Sequence, residues 1–200
     1  MEYIVSHDLM CCDLTVKNIY LILMEDAMNI ELKKVDVEEK EILKNLMEKY
    51  DYEFSQWDNR DVNKLGLYGY NYLDCYWTDN NRYAFFILVD GMLGGFVMVN
   101  DCPEANEKAD YAIAEFFVMY KYRQKGVGKF VAYKVFDMLR GKWQLKRHPK
   151  NTPSVHFWNK IVSEYTNGNF RLVESCPNTD YDDGTLADVF FFDNSDNCDK

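Results

Sequence analysis

The chain has 200 residues, 48% of them hydrophobic and 28% charged, with a formal net charge of -10. That make-up describes one globular domain with a sizeable core; it excludes a disordered tail, and the acidity excludes a protein that grips nucleic acid over its whole surface. The charge is uneven, because Lys121 to Lys150 holds ten basic residues against one acidic residue, Asp137, so this segment carries +9 and the remainder -19. A positive segment on an acidic protein points to an anion bound there.

Residues 1–28 read as an N-terminal extension, with a short strand near Tyr3 to Val5 and a helix around Leu14 to Glu25. Residues 29–192 form one domain and 193–200 an acidic tail. In NIELKKV, Ile30, Leu32 and, with a slip, Val35 recur as in a half-buried strand. Asp36 with Glu39 three residues on is a capping-box pair, and Ile42, Leu43, Leu46, Met47 and Tyr50 then recur on one helical face. A short helix is expected near Asp61 to Leu65, and YAFFILV, Asp90-Gly91 and MLGGFVMVN spell a hairpin. YAIAEFFVMY follows as a strand, then a helix from Gly128 to Arg140 with Gly141 as its C-terminal glycine. A short strand (Trp143 to Leu145), a helix opening near Pro153, and the strands FRLVE and LADVFFF complete an α/β or α+β three-layer domain on a mainly antiparallel sheet.

The six cysteines (Cys11, Cys12, Cys75, Cys102, Cys176, Cys198) form no CxxC pair and no zinc-ligand spacing with histidine, so they read as reduced thiols. The N-terminus lacks a basic stretch followed by an apolar run, and no apolar run reaches the about 18 residues of a membrane span. A soluble, cytoplasmic protein without metal, nucleic-acid or membrane partners is the expectation. His7, His148 and His156 have no spacing that makes a metal site or a nucleophile triad.

The chemistry concentrates at Gly126 and Gly128, between a strand and a helix and among Arg123, Lys125 and Lys129. Without Cβ atoms the backbone can approach a ligand, and the free amides of the helix's first turn favour negative charge. A Walker A loop would need glycine at Arg123 and Ser or Thr at Phe130; a dinucleotide fingerprint would need glycine at Val131. Both fail at defining positions, which leaves a phosphate cradle of another kind or a plain strand-to-helix turn.

Arg123-Gln124-Lys125-Gly126-Val127-Gly128 resembles the (Q/R)xxGx(G/A) pyrophosphate signature of the GNAT superfamily of acyl-CoA N-acyltransferases. Asn151, Ser154, Phe157 and Trp158 resemble that family's NxxAxxFY element, with Ser for Ala and Trp for Tyr, and the element order from Ile30 to Phe192 is similar too. The resemblance implies a three-layer α/β/α domain on a mixed, mostly antiparallel sheet of about six or seven strands with helices on both faces. It implies acetyl-CoA as cosubstrate, its pyrophosphate on the amides of Gln124 through Lys129 beside Arg123, and its pantetheine along Phe117, Val118 and Met119. It further implies cofactor contacts from Asn151 and Trp158, an acceptor pocket walled in part by GLYGYNYLDCYW, and an amine acceptor, and it admits a homodimer.

Acyl transfer to an amine needs a base, because an alkyl amine with a pKa near ~10 is mostly charged at neutral pH. Glu115, the acidic residue inside the central strand, is the candidate, its alternative being a satisfied strand glutamate. The oxyanion would fall to a backbone amide near Val118. Trp158 stands where many family members carry an acidic tyrosine, and an indole cannot donate a proton in this range, so either another tyrosine substitutes, with Tyr120, Tyr122 and Tyr165 near in sequence, or the thiolate leaves without a dedicated acid. The expected activity is acetyl transfer from acetyl-CoA to a primary amine of a cationic acceptor by direct attack. The alternatives are a non-catalytic acyl-CoA-binding or interaction protein on the same fold, and a nucleotide binder using the same glycines.

Overall fold

A computed structural model describes residues 28–195. The strand expected near Tyr3, the helix around Leu14 to Glu25 and residues 196–200 of the tail lie outside the described residues. The strands β1 (Ile30–Lys34), β2 (Tyr83–Val89), β3 (Met92–Asn100), β4 (Tyr111–Val118), β5 (Lys142–Arg147), β6 (Arg171–Val173) and β7 (Asp188–Asp193) form one sheet, ordered β1-β2-β3-β4-β5-β7-β6. Only β4 and β5 pair in parallel; every other neighbouring pair is antiparallel. The α-helices among the described residues are α1 (Lys40–Asp58), the single turn α2 (Cys75–Thr78), α3 (Val127–Met138) and α4 (Thr152–Tyr165).

Period-two alternation divides the apolar side chains between the two faces. Phe85, Ile87 and Val89 of β2 join α3 and α4 through Val131, Val135, Phe136, Ile161 and Val162. The intervening Ala84 and Phe86 join α1 through Leu43, Leu46 and Met47. Each fully buried side chain of this size contributes about 1.5–3 kcal/mol, so the three-layer arrangement follows from a strand that is apolar on both sides. Asp90 and Gly91 both take left-handed backbone angles (φ 53 and 75), the primed turn that fits the twist of a hairpin.

Three expectations are corrected. Asp61 to Leu65 is a loop, since the Asn63 carboxamide oxygen accepts from the N–H groups of Leu65 (2.8 Å) and Leu67 (3.2 Å), offering the backbone a local alternative to a helix. Gly141 does not cap α3, which ends at Met138 with Leu139 as its C-cap; a Cβ there would sit 2.6 Å from the Asp110 carboxylate, which accepts from the Lys142 N–H at 2.8 Å and holds the entry to β5. Ile42 faces outward, because α1 buries only Leu43, Leu46 and Met47 of its apolar set.

The sheet opens in its middle. β4 and β5 pair only where Tyr111–Ile113 meets Trp143–Leu145, and beyond that point they part. A bulge at Ala114 marks the same place, since Met98 lies opposite Glu115 while Val99 lies opposite Ile113. The bulge shifts the alternation: Ile113, Phe116 and Val118 face α3 and α4, whereas Ala114 and Phe117 face α1. Gly95 holds the far end of β4 close, because a Cβ there would lie 1.9 Å from the Phe117 carbonyl oxygen.

Candidate functional site

Between the parted strands lies a cavity of about 700 Å³, within the range of small-molecule sites. Its upper part is bounded by Phe116, Phe117 and Val118 of β4, Gln124 and Gly128 at the start of α3, and Asn151, Phe157 and Trp158 at the start of α4. Its lower part is bounded by Tyr50, Asp51, Phe54, Trp57 and Asp58 of α1, by Glu115, and by the loop carrying Asp180 to Asp182.

The upper part is prepared by backbone. Gln124 and Gly126 both take left-handed angles (φ 60 and 82), and the ladder of α3 begins only when the Phe130 N–H donates to the Gly126 carbonyl at 3.0 Å. The first-turn amides of Val127, Gly128 and Lys129 therefore stand outside the ladder, as an anion cradle requires. Nothing lies within 4 Å of where a Gly126 Cβ would be, so the approach is open, while a Gly128 Cβ would press on the Phe157 ring at 3.0 Å. These observations fit a pyrophosphate.

The lower part is prepared by side chains. Glu115 meets Tyr50, Asp51 and Arg60 from the α1 side, and its carboxyl is pushed up to about 8. Burial is the main cause; Asp51 and Glu104 act in the same direction, while hydrogen bonding by Tyr50 and the charge of Arg60 oppose it. Asp51 and Asp58 are both buried and share one guanidinium: Arg60 Nη2 lies 2.9 Å from Asp51 Oδ1, and its Nε pairs with Asp58. Burial raises the Asp51 carboxyl despite this partner. His148 is buried against Tyr181, ring centroids 4.5 Å apart, with Nδ1 accepting from the Lys150 N–H, and desolvation lowers its pKa.

Of the residues singled out from sequence, Glu115, Phe117, Val118, Arg123, Gln124, Gly128, Asn151 and Trp158 line the cavity. Gly126 and Lys125 are exposed on the loop, and Val127 is buried beneath α3. Met119 packs between the two cores, and Lys129 pairs with Glu164 at 2.7 Å. The Asn151 side chain caps α4 by accepting from the Ser154 N–H at 3.1 Å, and Trp158 is buried edge-on to Phe116 at 5.1 Å. Tyr120, Tyr122 and Tyr165 do not line the cavity; Tyr50, Tyr70 and Tyr181 do. Much of the +9 segment is neutralised, since Arg123, Lys129, Arg140, Lys146, Arg147 and Lys150 each pair with a carboxylate. Tyr70 is the part of the aromatic loop that reaches the cavity; Leu73 and Tyr76 belong to the core. Sequence reasoning missed Asp51, Asp58, Arg60 and Tyr181, and only Tyr50 carried a helical signal.

A cleft between parted parallel strands, with a glycine-opened helix at one end, is the geometry of an acyltransferase domain. The model of the Acetyltransferase (GNAT) family matches residues 41–162, and the chain belongs to that family. No curated protein matches it by sequence. Its fold is similar to that of an acetyltransferase from Thermus thermophilus, with 13% identity, 82% of this chain and 97% of that one covered, and a TM-score of 0.56. The PaiA N-acetyltransferase of Thermoplasma acidophilum, solved in complex with coenzyme A, is similar at 13% identity, 83% and 99% coverage and TM-score 0.53. A chimeric spermidine N-acetyltransferase SpeG from Vibrio cholerae and hSSAT is similar at 12%, 83% and 96%, with TM-score 0.55. Among the described residues, no helix is long and apolar enough to cross a membrane and no cluster of His, Cys, Asp and Glu could hold a metal ion.

Proposed function

We propose that the chain is an acetyl-CoA-dependent N-acetyltransferase acting on a primary amine of a cationic acceptor. Bound acetyl-CoA would supply an acyl thioester. The amides of Val127, Gly128 and Lys129 would hold its pyrophosphate, and the edge of β4 that has parted from β5, near Phe117 and the Val118 N–H, its pantetheine arm. The observation that carries the reading is Glu115: a carboxyl raised to about 8, in the cavity, next to the bulge where the strands part. An amine that enters as ammonium would give its proton to the Glu115 carboxylate and attack the thioester carbon as the neutral amine. As the C–N bond forms the C–S bond breaks, coenzyme A leaves as the thiolate, and the proton shed by the new amide nitrogen goes to that thiolate through solvent. A backbone amide near Val118 serves the oxygen that gains charge. The free cysteines Cys75, Cys102 and Cys176 suit a reducing compartment such as the cytoplasm.

The preference for a cation rests on charge. Six carboxylates besides Glu115 line the cavity against the basic side chains Arg60, Arg123, Lys146 and Arg147, each of which has a carboxylate partner. Asp180 and Asp182 are exposed at the opening with no ion-pair partner among the described residues, and Phe54, Trp57 and Tyr181 offer aromatic faces beside them. A second reading, a non-catalytic acyl-CoA binder, draws on Trp158, which is packed into the core where a proton donor would be useful.

Titration with acetyl-CoA should raise the melting temperature, and a panel of primary amines should release free thiol with at least one member, faster as pH rises through about 8. Stabilisation without thiol release would favour the binder. No stabilisation by acetyl-CoA would overturn both readings.

A further inference from the structure

Arg123 makes its hydrogen bonds away from the phosphate cradle. Its Nε donates to the Val118 carbonyl at 2.6 Å, while Nη1 and Nη2 donate to the two Glu53 oxygens at 2.6 and 2.7 Å. The guanidinium carbon lies 4.1 Å from the Tyr120 ring centroid, and the Phe117 ring is 5.7 Å away. Three of the five N–H groups are thus engaged in a two-pronged fork, the geometry that a lysine point charge cannot reproduce. Both partners are largely shielded, with side chains 29% and 19% exposed, so water weakens this pair less than it would a surface pair.

The residues joined come from different parts of the site. Glu53 lies on α1 between Tyr50 and Asp51 on one side and Phe54 and Trp57 on the other, all lining the lower cavity. Val118 ends β4, and Arg123 immediately precedes Gln124, whose left-handed backbone opens the cradle. We infer that the Arg123–Glu53 pair is a strut that fixes the acceptor-side helix to the cofactor strand and loop, which makes Arg123 a positioning residue and not a phosphate ligand. The inference builds on the acyltransferase reading. Its physical content is that α1 and β4 have one relative position only while the fork is closed, and reaction needs the Glu115 carboxyl and the thioester carbon aligned to within a fraction of an ångström.

The test compares the full-length protein with Glu53→Gln, Arg123→Gln, Arg123→Lys and the exchanged pair Glu53→Arg/Arg123→Glu. Calorimetry with coenzyme A should give dissociation constants within about 3-fold of the parent for all four, because the phosphates are held by amides. Amide hydrogen exchange should speed up together in residues 40–58 and 119–126 in the single variants and slow again in the exchanged pair. With the best amine of the panel, kcat/KM should fall about 10-fold in each single variant, Arg123→Lys included, and recover in part in the exchanged pair. A loss of coenzyme A affinity of about 10-fold or more in Arg123→Gln but not in Glu53→Gln would make Arg123 a phosphate ligand and overturn the strut. Unchanged exchange in α1 would overturn it as well. If the parent itself bound no coenzyme A, the acyltransferase reading would fail while exchange still decided whether the strut exists.

Discussion

The two ends of the cavity are built by opposite means. At the top, near Gly126 and Gly128, the surface is main chain: left-handed turns, first-turn amides and a strand edge. At the bottom, near Glu115, it belongs to side chains: Asp51, Asp58 and Arg60 in a buried network, Tyr50 and Tyr181 beside them, Asp180 and Asp182 at the opening. A site made of amides tolerates side-chain change but not a change of backbone shape, whereas a site of side chains can be retuned residue by residue. On the proposed reading, the cosubstrate end is therefore the fixed part of the site and the acceptor end the adjustable one.

Substituting a glutamate at Gly126 should break the contrast most severely. A non-glycine residue at φ 82 is strained by about 1–2 kcal/mol, and the added carboxylate repels the phosphates, so calorimetry should find coenzyme A affinity reduced by about 100-fold or more while the lower site stays folded. Glu115→Gln should do the reverse. kcat/KM should fall about 100-fold, the rise in rate through pH 8 should disappear, and coenzyme A affinity should stay within about 3-fold.

The same variant makes a stability prediction. The Glu115 carboxyl is raised from 4.5 to about 8, so between those values the unfolded chain releases a proton that the folded chain keeps. Stability contributed by the protonated carboxyl is present below pH 4.5 and declines as pH climbs to about 8. Glu115→Gln removes this decline, and melting curves should show the variant gaining on the parent across that window, with no gain below it.

Smaller effects sharpen the contrast. Replacing Asp180 and Asp182 together by asparagine should raise KM for a cationic amine about 3-fold at low ionic strength and much less at high salt, because both groups are exposed. A raised KM that ignored salt would mean the two carboxylates contact the amine directly. Lys129→Ala should matter least. Its ammonium is occupied by Glu164 at the surface, so coenzyme A affinity should change by no more than about 2-fold, and a larger loss would show that side-chain charge matters at the upper end after all.

What could be read from the chain beforehand follows the range of the forces involved. The hairpin at Asp90-Gly91, the α1 pattern of Leu43, Leu46 and Met47 and the start of α4 near Pro153 are local, and each is visible within one turn or one pair of residues. The cradle was legible for the same reason, since glycine spacing and helix start are neighbours. The lower site was not. Arg123 meets Glu53 across 70 positions, and Arg60 draws Asp51 and Asp58 into a wall that no periodicity announces. Gly141 misled because a glycine after a helix usually ends it, while here it makes room for Asp110.

The bulge at Ala114 gives β4 two phases within one element. Residues up to Ile113 are tied by pairing with β5 and by the core beneath α3 and α4, and residues from Glu115 onward follow the opposite parity and serve the cavity. The strand's first half can thus be tuned for sheet strength without turning the carboxyl, and its second half can be tuned for chemistry without loosening the sheet. One uncounted residue makes a single strand two independently adjustable segments.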